Sequence, residues 1–265
     1  MKNKTIIITG ASSGIGFVLA QHLHKAGHHV IGCSRSFPKD SYDFDYKICD
    51  LQSEASMVDF AKAIKREEKH VDVLINCAGI GIAGALEDAS YHSALKLHQI
   101  NVLGPFLLIQ LLIPTLKKSP RPKIINIASV AGAITIPFQA FYSMSKSSLM
   151  QMGEAFRMEL KPFNIDVSTI LPGDTKTAFS NNRVTEVPPA SLYKARVKRS
   201  LDKMERDEQN GKDPISVVKV VHKQLNRKRM KPYVTVGLNY KFFMLLNKLL
   251  PYKLKERIIY KMYGK

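Results

Sequence analysis

The sequence predicts an α/β fold in which a doubly wound parallel sheet carries helices on both faces. Two observations support this prediction. Short runs alternate with longer helical segments over the first 175 residues, and these runs are rich in Ile and Val. Runs of this composition are typical of parallel strands that are buried on both faces. The alternation indicates βαβ units, which we expect to cross over in the right-handed sense.

The predicted elements follow one another without an internal repeat or a low-complexity linker. The predicted strands are Thr5–Thr9, Val30–Ser34, Tyr46–Cys49, Val71–Ile75, Lys123–Ile127 and Asp166–Ile170, and the predicted helices are 14–26, 53–68, 92–117 and 141–161. The polar segment 174–210 carries Pro188 and Pro189, and we predict no strand in it. A helix at 214–226 and a strand at 232–236 follow. We therefore expect one domain over 1–237 and a separate tail over 238–265.

Composition excludes several classes of protein. The 265 residues are 45% apolar and 23% charged, which is close to the average of soluble globular proteins. Three widely spaced cysteines without a CxxC motif favour buried reduced thiols over a disulfide framework, and neither they nor the histidines have metal-ligand spacing. The first residues lack the features of a signal peptide, and no run reaches about 20 apolar residues. We expect a cytoplasmic protein without a metal.

The positive charge of the chain is concentrated near its end. The net charge is +18, and residues 219–265 hold 13 Lys or Arg residues but only one acidic residue, Glu256. Basic residues beside Leu-rich and aromatic faces suit an anionic membrane surface, here the inner face of a membrane. Alternatively, Phe242, Phe243, Leu245 and Leu246 cover the domain's own core or a dimer partner. Nucleic-acid binding also fits the charge, but no recognised module is present, so we expect none.

A glycine-rich turn, Thr9–Gly16, joins the first predicted strand to the first predicted helix. Glycines allow a tight turn and a close approach of backbone to a ligand. The free N–H groups and the positive dipole end of the next helix suit a pyrophosphate. A turn without a ligand can also contain glycines, but a βαβ unit is the context that a dinucleotide site requires. The turn therefore predicts a dinucleotide site.

The second predicted strand ends in Cys33-Ser34-Arg35-Ser36. An NAD site usually places an acidic residue about 20 residues after the glycines to bond the ribose 2′-hydroxyl, whereas an Arg there accommodates a 2′-phosphate. No acidic residue occurs at 33–36, and the next one is Asp40. Arg35 can pair with phosphate through two hydrogen bonds, although an Arg is also common on any surface. The pattern favours NADP(H).

Polar residues in later segments form a candidate reaction site. Tyr142 and Lys146 are four residues apart and share one helix face. A neighbouring ammonium favours the phenolate and lowers the tyrosine pKa towards the range that acid–base catalysis needs. Ser129 follows a strand, where doubly wound folds bind ligands. Each of these residues also has a purely structural explanation when taken singly. The Tyr142–Lys146 pair can be a helix-surface contact, and Ser129 can be a turn or cap residue. Asn101, in a predicted helix, can be a buried amide.

Jointly, these motifs resemble the short-chain dehydrogenases/reductases. The matching residues are Thr9–Gly16 (TGxxxGxG), Asp50, Asn76–Gly79 (NxAG), Asn101, Ser129, Tyr142-x-x-x-Lys146 and Pro172-Gly173. Their order and spacing match that family through residues 1–177. The resemblance implies a Rossmann-type sheet with strand order 3-2-1-4-5-6-7. It also implies an oxidoreductase, here expected to use NADP(H), that interconverts a ketone or aldehyde and an alcohol.

The resemblance further implies a role for each residue of a catalytic tetrad. Tyr142 donates the proton to the substrate oxygen, Lys146 lowers its pKa and holds the nicotinamide ribose, Ser129 polarises the carbonyl, and Asn101 positions a water. Two departures are Cys77, where the family usually has a second Asn, and Thr175, where an aliphatic residue is commoner. The expected cofactor contacts are Gly10, Ser12, Ser13, Gly14, Ile15, Gly16, Ser34, Arg35, Asp50, Leu51, Asn76, Ala78, Gly79, Tyr142, Lys146, Pro172, Gly173, Thr175 and Thr177.

We expect substrate contacts from 81–86, 130–141 and 174–210, the last forming a mobile lid over the site. A membrane-bound tail would favour lipophilic substrates such as a steroid, a retinoid or a fatty-acyl ketone. Family members are usually dimers or tetramers, packed through the helices that carry Asn101 and Tyr142. Two alternatives remain: a regulator that senses NADP(H) without turnover, and a membrane-associated scaffold in which the tail is the function.

Overall fold

The computed structural model describes residues 3–37, 42–177, 179 and 183–265. The strands within these ranges are β1 (Thr5–Thr9), β2 (His29–Ser34), β3 (Asp45–Ile48), β4 (Val73–Asn76), β5 (Ile82–Gly84), β6 (Lys123–Ile127), β7 (Asp166–Leu171), β8 (Val184–Glu186) and β9 (Tyr233–Thr235). The helices are α1 (Gly14–Lys25), α2 (Glu54–Glu67), α3 (Tyr91–His98), α4 (Gly104–Leu116), α5 (Ala140–Glu159), α6 (Lys194–Gln209), α7 (Ile215–Leu225), α8 (Leu238–Leu249) and α9 (Tyr252–Ile259).

Seven of these strands form one parallel sheet in the order β3-β2-β1-β4-β6-β7-β9. Numbered within the sheet alone, this order is 3-2-1-4-5-6-7, so the predicted Rossmann-type topology is confirmed. The order reverses between β1 and β4, and the carboxyl ends of the flanking strands open a crevice there. Ligands of doubly wound folds bind in such a crevice.

The central strand β1 contributes side chains to both layers of the core. Ile6 and Ile8 pack in one cluster with residues of α1 and α7, whereas Ile7 packs in the other with residues of α2 and α4. All three side chains are fully buried. Burial of one such side chain contributes roughly 1.5–3 kcal/mol, so the apolar run of β1 is a large source of stability. Helices therefore cover both faces of the sheet, as the continuous apolar pattern predicts.

One helical run, Tyr91–Leu116, is long and apolar enough to cross a membrane by length and composition alone, and half of its most apolar window is buried inside the protein. It comprises α3, a π-helical turn at Gln99–Leu103, and α4. The fully buried residues Leu108, Ile109 and Leu112 belong to the core beneath the sheet. The wider π-helical turn carries Asn101, and such turns are frequent at functional sites.

The prediction that 174–210 lacks a strand is wrong. β8 pairs in parallel with β5 as a separate two-stranded sheet, with Ile82 opposite Val184. Val184 and Thr185 are exposed. Because β8 buries neither of these side chains, its sequence lacks the apolar pattern from which a strand is predicted. The same segment contains α6, which packs through Val197 against Phe138 beside the crevice.

Lys123 is a buried cation that holds the end of α7. Its Nζ donates hydrogen bonds to the carbonyl oxygens of Gln224, Leu225 and Arg227, at 3.3, 2.9 and 2.7 Å. The carbonyl of Gln224 also accepts from the backbone N–H of Arg227 at 3.1 Å, and the Lys123 cation complements the negative end of the helix dipole.

We expect Lys123→Met to lower the free energy of unfolding by about 2 kcal/mol, because three acceptors lose their donor in a buried setting. Urea denaturation measures this change. Lys118→Met, at an exposed position, is the matched control and should leave the midpoint nearly unchanged. Equal midpoints for the two variants would contradict the assigned contact.

Candidate active site

The glycine-rich turn closes tightly between β1 and α1. Gly10 and Gly14 have φ angles of +70° and +56°, which residues with a side chain rarely adopt. A Cβ atom on Gly16 would lie 2.3 Å from the carbonyl oxygen of Gly10. Ser13 precedes α1 without a side-chain hydrogen bond to the helix start. The turn is therefore a cradle that side chains would fill, with backbone N–H groups at its helix end, and it fits a pyrophosphate.

Thr9, which sequence reasoning did not single out as a positioning residue, connects this turn to the end of β4. Its Oγ1 accepts hydrogen bonds from the backbone N–H groups of Cys77 and Ala78, at 3.0 and 3.1 Å. Two adjacent donors on one hydroxyl hold the ends of β1 and β4 together. The contact places Ala78 and Gly79 beside the glycine turn.

A cleft of about 610 Å³ runs along the carboxyl edge of the sheet. It joins the glycine turn to the carboxyl ends of β2, β4, β6 and β7. Every predicted cofactor contact except Asn76 lines it: Gly10, Ser12, Ser13, Gly14, Ile15, Gly16, Ser34, Arg35, Asp50, Leu51, Ala78, Gly79, Tyr142, Lys146, Pro172, Gly173, Thr175 and Thr177. The structure thus gathers residues that lie more than 160 positions apart in the chain.

Asn76 lies outside the cleft. Its side chain is buried, and its Nδ2 donates a 2.9 Å hydrogen bond to Oδ1 of Asn126. The register of β4 and β6 pairs these two residues directly, so each amide has the other as its nearest polar partner. In this structure Asn76 connects β4 to β6, and its expected contact with the cofactor stays a prediction.

At the end of β2, the Arg35 side chain is exposed and lines the cleft. The neighbouring Ser34 is held in place, since its hydroxyl accepts from Tyr46 at 2.7 Å and donates to the Ser36 carbonyl at 2.9 Å. Asp40 lies outside the described residues. Just after the neighbouring strand β3, the Asp50 carboxylate accepts from the backbone N–H of Gln52 at 3.0 Å.

Ser129 and Tyr142 meet at the centre of the cleft. Ser129 follows β6 and accepts a 3.1 Å hydrogen bond from Ala131 N–H, which orients its side chain at the start of a short turn. Tyr142 on α5 lines the cleft beside Ser129, and the Ser129 side chain acts to lower the Tyr142 pKa. The ring of Tyr142 packs against that of Phe179, with ring centroids 5.6 Å apart. Two hydroxyl groups therefore face the same space in the cleft.

Lys146 lies one helical turn from Tyr142, with its Nζ 5.7 Å from the tyrosine ring centroid. The ammonium donates a 3.1 Å hydrogen bond to the carbonyl oxygen of Ile127. Burial lowers the pKa of Lys146 to about 8, because a low-dielectric environment penalises the charged form. This residue therefore titrates near neutral pH.

The expected depression of the Tyr142 pKa by Lys146 is not found in this structure. Burial raises the pKa of Tyr142 to about 12, and the hydrogen bond from Ser129 offsets only part of that rise. The phenolate is costly in a desolvated cleft, while the Lys146 ammonium points towards a backbone carbonyl. Tyr142 is consequently a phenol that keeps its proton at neutral pH.

Asn101 is fully buried behind the loop that follows β4. Its Oδ1 accepts from Ile80 N–H and its Nδ2 donates to Ile80 O, both at 2.9 Å. The same Nδ2 lies 3.0 Å from Ser145 Oγ on α5. Asn101 does not line the cleft. In this structure it holds the 77–80 loop against α5, and the proposed water contact stays a prediction.

Sequence reasoning missed the charged groups of the segment 174–210 that lie at the cleft. Arg183 and Glu208 form an ion pair, and the Arg183 side chain is only 2% exposed. Glu208 lines the cleft together with Asp174, and both carboxylates act electrostatically on Tyr142. The two partners are 25 positions apart in a polar segment, so no local pattern indicates their pairing. The cleft thus has a polar end near the tyrosine, in addition to apolar walls from Ile80, Val130 and Ile136.

Within the described residues, no group of three or more His, Cys, Asp or Glu side chains is placed to hold a metal ion. Cys33, Cys49 and Cys77 are free cysteines, and burial raises the pKa of the Cys77 thiol to about 12. A thiol with such a pKa is a poor nucleophile at neutral pH. The chemistry that these residues can support is therefore proton transfer by the tyrosine.

This arrangement defines a nucleotide-dependent oxidoreductase with a doubly wound sheet. Residues 4–188 match the family model described as short chain dehydrogenase, and the chain belongs to this family. It is similar to a 3-ketodihydrosphingosine reductase of Bacteroides thetaiotaomicron, with 36% identity over 239 residues that cover 89% of each chain.

Solved structures of the same fold carry either nicotinamide dinucleotide. A short chain dehydrogenase/reductase from Burkholderia phymatum in complex with NAD aligns with a TM-score of 0.80 and 20% identity over 92% of each chain. The Pseudomonas aeruginosa RhlG/NADP active-site complex aligns with a TM-score of 0.73 and 26% identity, over 91% of this chain and 97% of that one. Structures of this fold thus bind NAD or NADP, and the comparisons leave the coenzyme of this chain open.

Proposed function

We propose that this protein is an NADP(H)-dependent oxidoreductase that interconverts a ketone or aldehyde and the corresponding alcohol on a lipophilic substrate. The observation that carries the proposal is that Ser129 and Tyr142 line the same cleft as the glycine cradle, close enough for the Ser129 side chain to lower the Tyr142 pKa. A proton donor and a second hydroxyl face one space, beside a site that fits a dinucleotide. Bound NADPH would supply the hydride to the carbonyl carbon.

The residues of the chain supply everything else that the reduction needs. The Tyr142 phenol donates its proton to the carbonyl oxygen, and the Ser129 hydroxyl donates a hydrogen bond to that oxygen. The Lys146 ammonium would hold the ribose next to the nicotinamide. Asn101 fixes the loop that borders this space, through its two hydrogen bonds to Ile80. The tetrad members thus have distinct tasks.

NADP(H) is proposed over NAD(H) because Arg35 is the charged side chain at the end of β2 that lines the cleft. Its guanidinium suits a 2′-phosphate, and no carboxylate at 33–37 is available to accept a bond from the ribose 2′-hydroxyl. The NADP complex of the 26% identical RhlG supports the same choice.

A substrate of the fatty-acyl ketone type is proposed over a steroid or a retinoid. The Bacteroides relative carries the name of a reductase for a long-chain ketone and covers 89% of this chain. The apolar walls Ile80, Val130 and Ile136 suit an alkyl chain, and the polar lid groups Asp174 and Glu208 suit the functional groups next to a carbonyl. Neither a regulator that merely senses NADP(H) nor a scaffold requires a proton donor such as Tyr142 beside an ammonium such as that of Lys146.

We also propose a cytoplasmic homodimer or homotetramer, with 1–237 as the catalytic domain and 174–210 as its lid. Leu103, Phe106, Met144 and Met158 expose apolar side chains on the run that carries Asn101 and on α5, which carries Tyr142. Light scattering during size-exclusion chromatography measures the assembly; a monomer at all concentrations would contradict this part of the proposal.

The function is tested with a series of straight-chain methyl ketones and the corresponding alcohols, each with NADPH and with NADH. Nicotinamide absorbance reports the rate. We expect turnover with NADPH, and kcat/KM rising with chain length as alkyl carbons enter the apolar cleft. Tight NADPH binding without turnover of any ketone, aldehyde or alcohol would favour the regulator instead.

The low pKa of Lys146 predicts a pH dependence of cofactor binding. Below about pH 8 the residue is a cation that can hold the ribose, and above about pH 8 it loses its proton. We expect the Kd of NADPH for the free protein to rise by on the order of tenfold from pH 7 to pH 9.5. Fluorescence titration measures the Kd. The Lys146→Met variant should bind weakly at both pH values, and an identical pH dependence in that variant would assign the effect elsewhere.

A further inference from the structure

The tail, residues 238–265, combines strong positive charge with exposed apolar side chains. It holds seven basic residues and one acidic residue, Glu256. Its large exposed apolar residues are Leu238, Phe242, Phe243, Leu245, Leu249, Tyr252, Leu254, Ile258, Tyr260 and Met262. Contiguous apolar exposure of this kind marks an interaction site on a folded protein.

On α8 four of the five large exposed apolar residues form one stripe. Leu238, Phe242, Leu245 and Leu249 are separated by four, three and four residues, which places them on a single helix face. Phe242 and Leu249 are 58% and 70% exposed. Lys241 and Lys248 are exposed on the same helix, beside this stripe. The apolar stripe is therefore flanked by basic side chains.

The opposite face of α8 is attached to the loops that form the active site. The Tyr240 hydroxyl donates to the Asp174 carboxylate, and Met244 packs against the cluster of Ala128, Leu149 and Leu171. Asn247 Nδ2 donates a 3.1 Å hydrogen bond to the carbonyl oxygen of Ala133. Because these contacts hold α8 in place from one side, its exposed stripe is not a frayed end that could fold back onto the core.

The helix α9 extends the same surface. Lys255 Nζ donates a 3.1 Å hydrogen bond to Asn247 O, which ties α9 to α8. The chain end is held by Arg196, whose Nε donates to Gly264 O at 2.9 Å, and by the bond of Tyr263 to Asp207. The exposed side chains of α9 again mix the two kinds of residue, apolar ones such as Ile258 and basic ones such as Lys253.

The chemistry of this surface selects one class of partner. A second copy of the tail would bring equal positive charge to the interface and be repelled. A nucleic acid would satisfy the lysines but leave the Leu and Phe stripe exposed. An anionic lipid surface satisfies both, because its headgroups attract lysine and its acyl boundary accepts apolar side chains.

We propose that α8 and α9 dock this protein on an anionic lipid surface, with the stripe Leu238, Phe242, Leu245 and Leu249 entering the acyl boundary. The opposite face of α8 then connects that surface to the loops at Ser129–Ala133 and Pro172–Asp174. Docking depends on the tail and not on turnover. A test of lipid binding is therefore independent of which substrate the cleft accepts.

Sedimentation with vesicles tests the docking. The full chain is mixed with vesicles of phosphatidylcholine alone, or with about a quarter of phosphatidylglycerol added. We expect the wild type to pellet only with the anionic vesicles. Phe242→Ser combined with Leu249→Ser should reduce the bound fraction by about tenfold, and Lys248→Glu combined with Lys253→Glu by at least as much. Higher salt should weaken binding by the wild type.

Matched controls keep the outcome specific. Lys65→Glu combined with Lys69→Glu makes the same change in net charge at exposed positions in and just after α2, and Tyr91→Ser removes an exposed apolar side chain at the start of α3. Both should bind like the wild type, and thermal unfolding should show that every variant is folded.

Three results would overturn the proposal. The first is a wild type that stays in solution with anionic vesicles. The second is full vesicle binding by the Phe242 and Leu249 variant together with lost binding by the lysine variant. Charge alone would then account for vesicle binding, and the same charge would equally attract a nucleic acid. The third is an oligomer in solution that this apolar variant dissociates while vesicle binding stays unchanged, which would assign the stripe to a second copy.

Discussion

Tyr142→Phe is expected to lower kcat for ketone reduction by about a thousandfold, because general acid catalysis contributes on the order of 10²–10⁴. The substitution removes the hydroxyl that shares the cleft with Ser129 and keeps the ring that packs against Phe179. We therefore expect the Kd of NADPH to stay within about twofold of the wild-type value. Steady-state rates and a fluorescence titration measure the two quantities separately.

A second tyrosine provides the control for this substitution. Tyr233 on the edge strand β9 donates to Met150 O, and its hydroxyl also lies 3.1 Å from Glu154, outside the cleft. Tyr233→Phe should therefore leave kcat nearly unchanged. Turnover by Tyr142→Phe within tenfold of the wild type would remove Tyr142 from its role as proton donor, and the proposed mechanism with it.

Arg35→Asp is expected to shift the ratio of kcat/KM for NADPH over NADH by about a hundredfold or more, in favour of NADH. The variant loses a charge-assisted bidentate contact with the 2′-phosphate and places a like charge against it. In NADH the new carboxylate can accept a hydrogen bond from the ribose 2′-hydroxyl. Because Arg35 is exposed, its replacement should change folding stability little.

The control for Arg35 is an exposed arginine far from the cleft. Arg66 near the end of α2 pairs with Glu67 at the surface, and Arg66→Asp makes the same change in charge. Its coenzyme preference should equal that of the wild type. If both variants show the same preference as the wild type, Arg35 has no part in coenzyme choice and the assignment of NADP(H) loses its main support.

Much of the fold was predictable because a strand that is buried on both faces has an apolar pattern in its own short stretch of sequence. The apolar run of β1 predicts a central strand, and Ile6, Ile7 and Ile8 are indeed fully buried between two helical layers. The glycines of the first turn predict the cradle, since Gly10 and Gly14 have positive φ angles. The strand β8 was missed because Val184 and Thr185 are exposed, and an exposed strand has no apolar pattern to record.

The candidate site was predictable in its membership and less so in its orientation. The spacing of Tyr142 and Lys146 indicates a shared helix face, and both residues line the cleft. The spacing says nothing of where the Lys146 ammonium points, and in the structure it donates to Ile127 O. Likewise the position of Asn76 after a strand does not show that Asn126 lies opposite it on β6.

The sequence by itself determined the class of fold and the glycine cradle, and its resemblance to a known family implied the strand order and the residues that converge on the cradle. Only the tertiary structure decided the high pKa of Tyr142, the pairing of Arg183 with Glu208, and the two faces of α8. The physical reason is the separation along the chain of the residues that interact. Strand patterns and turns depend on neighbours along the chain, whereas desolvation and side-chain orientation depend on segments that meet only after folding.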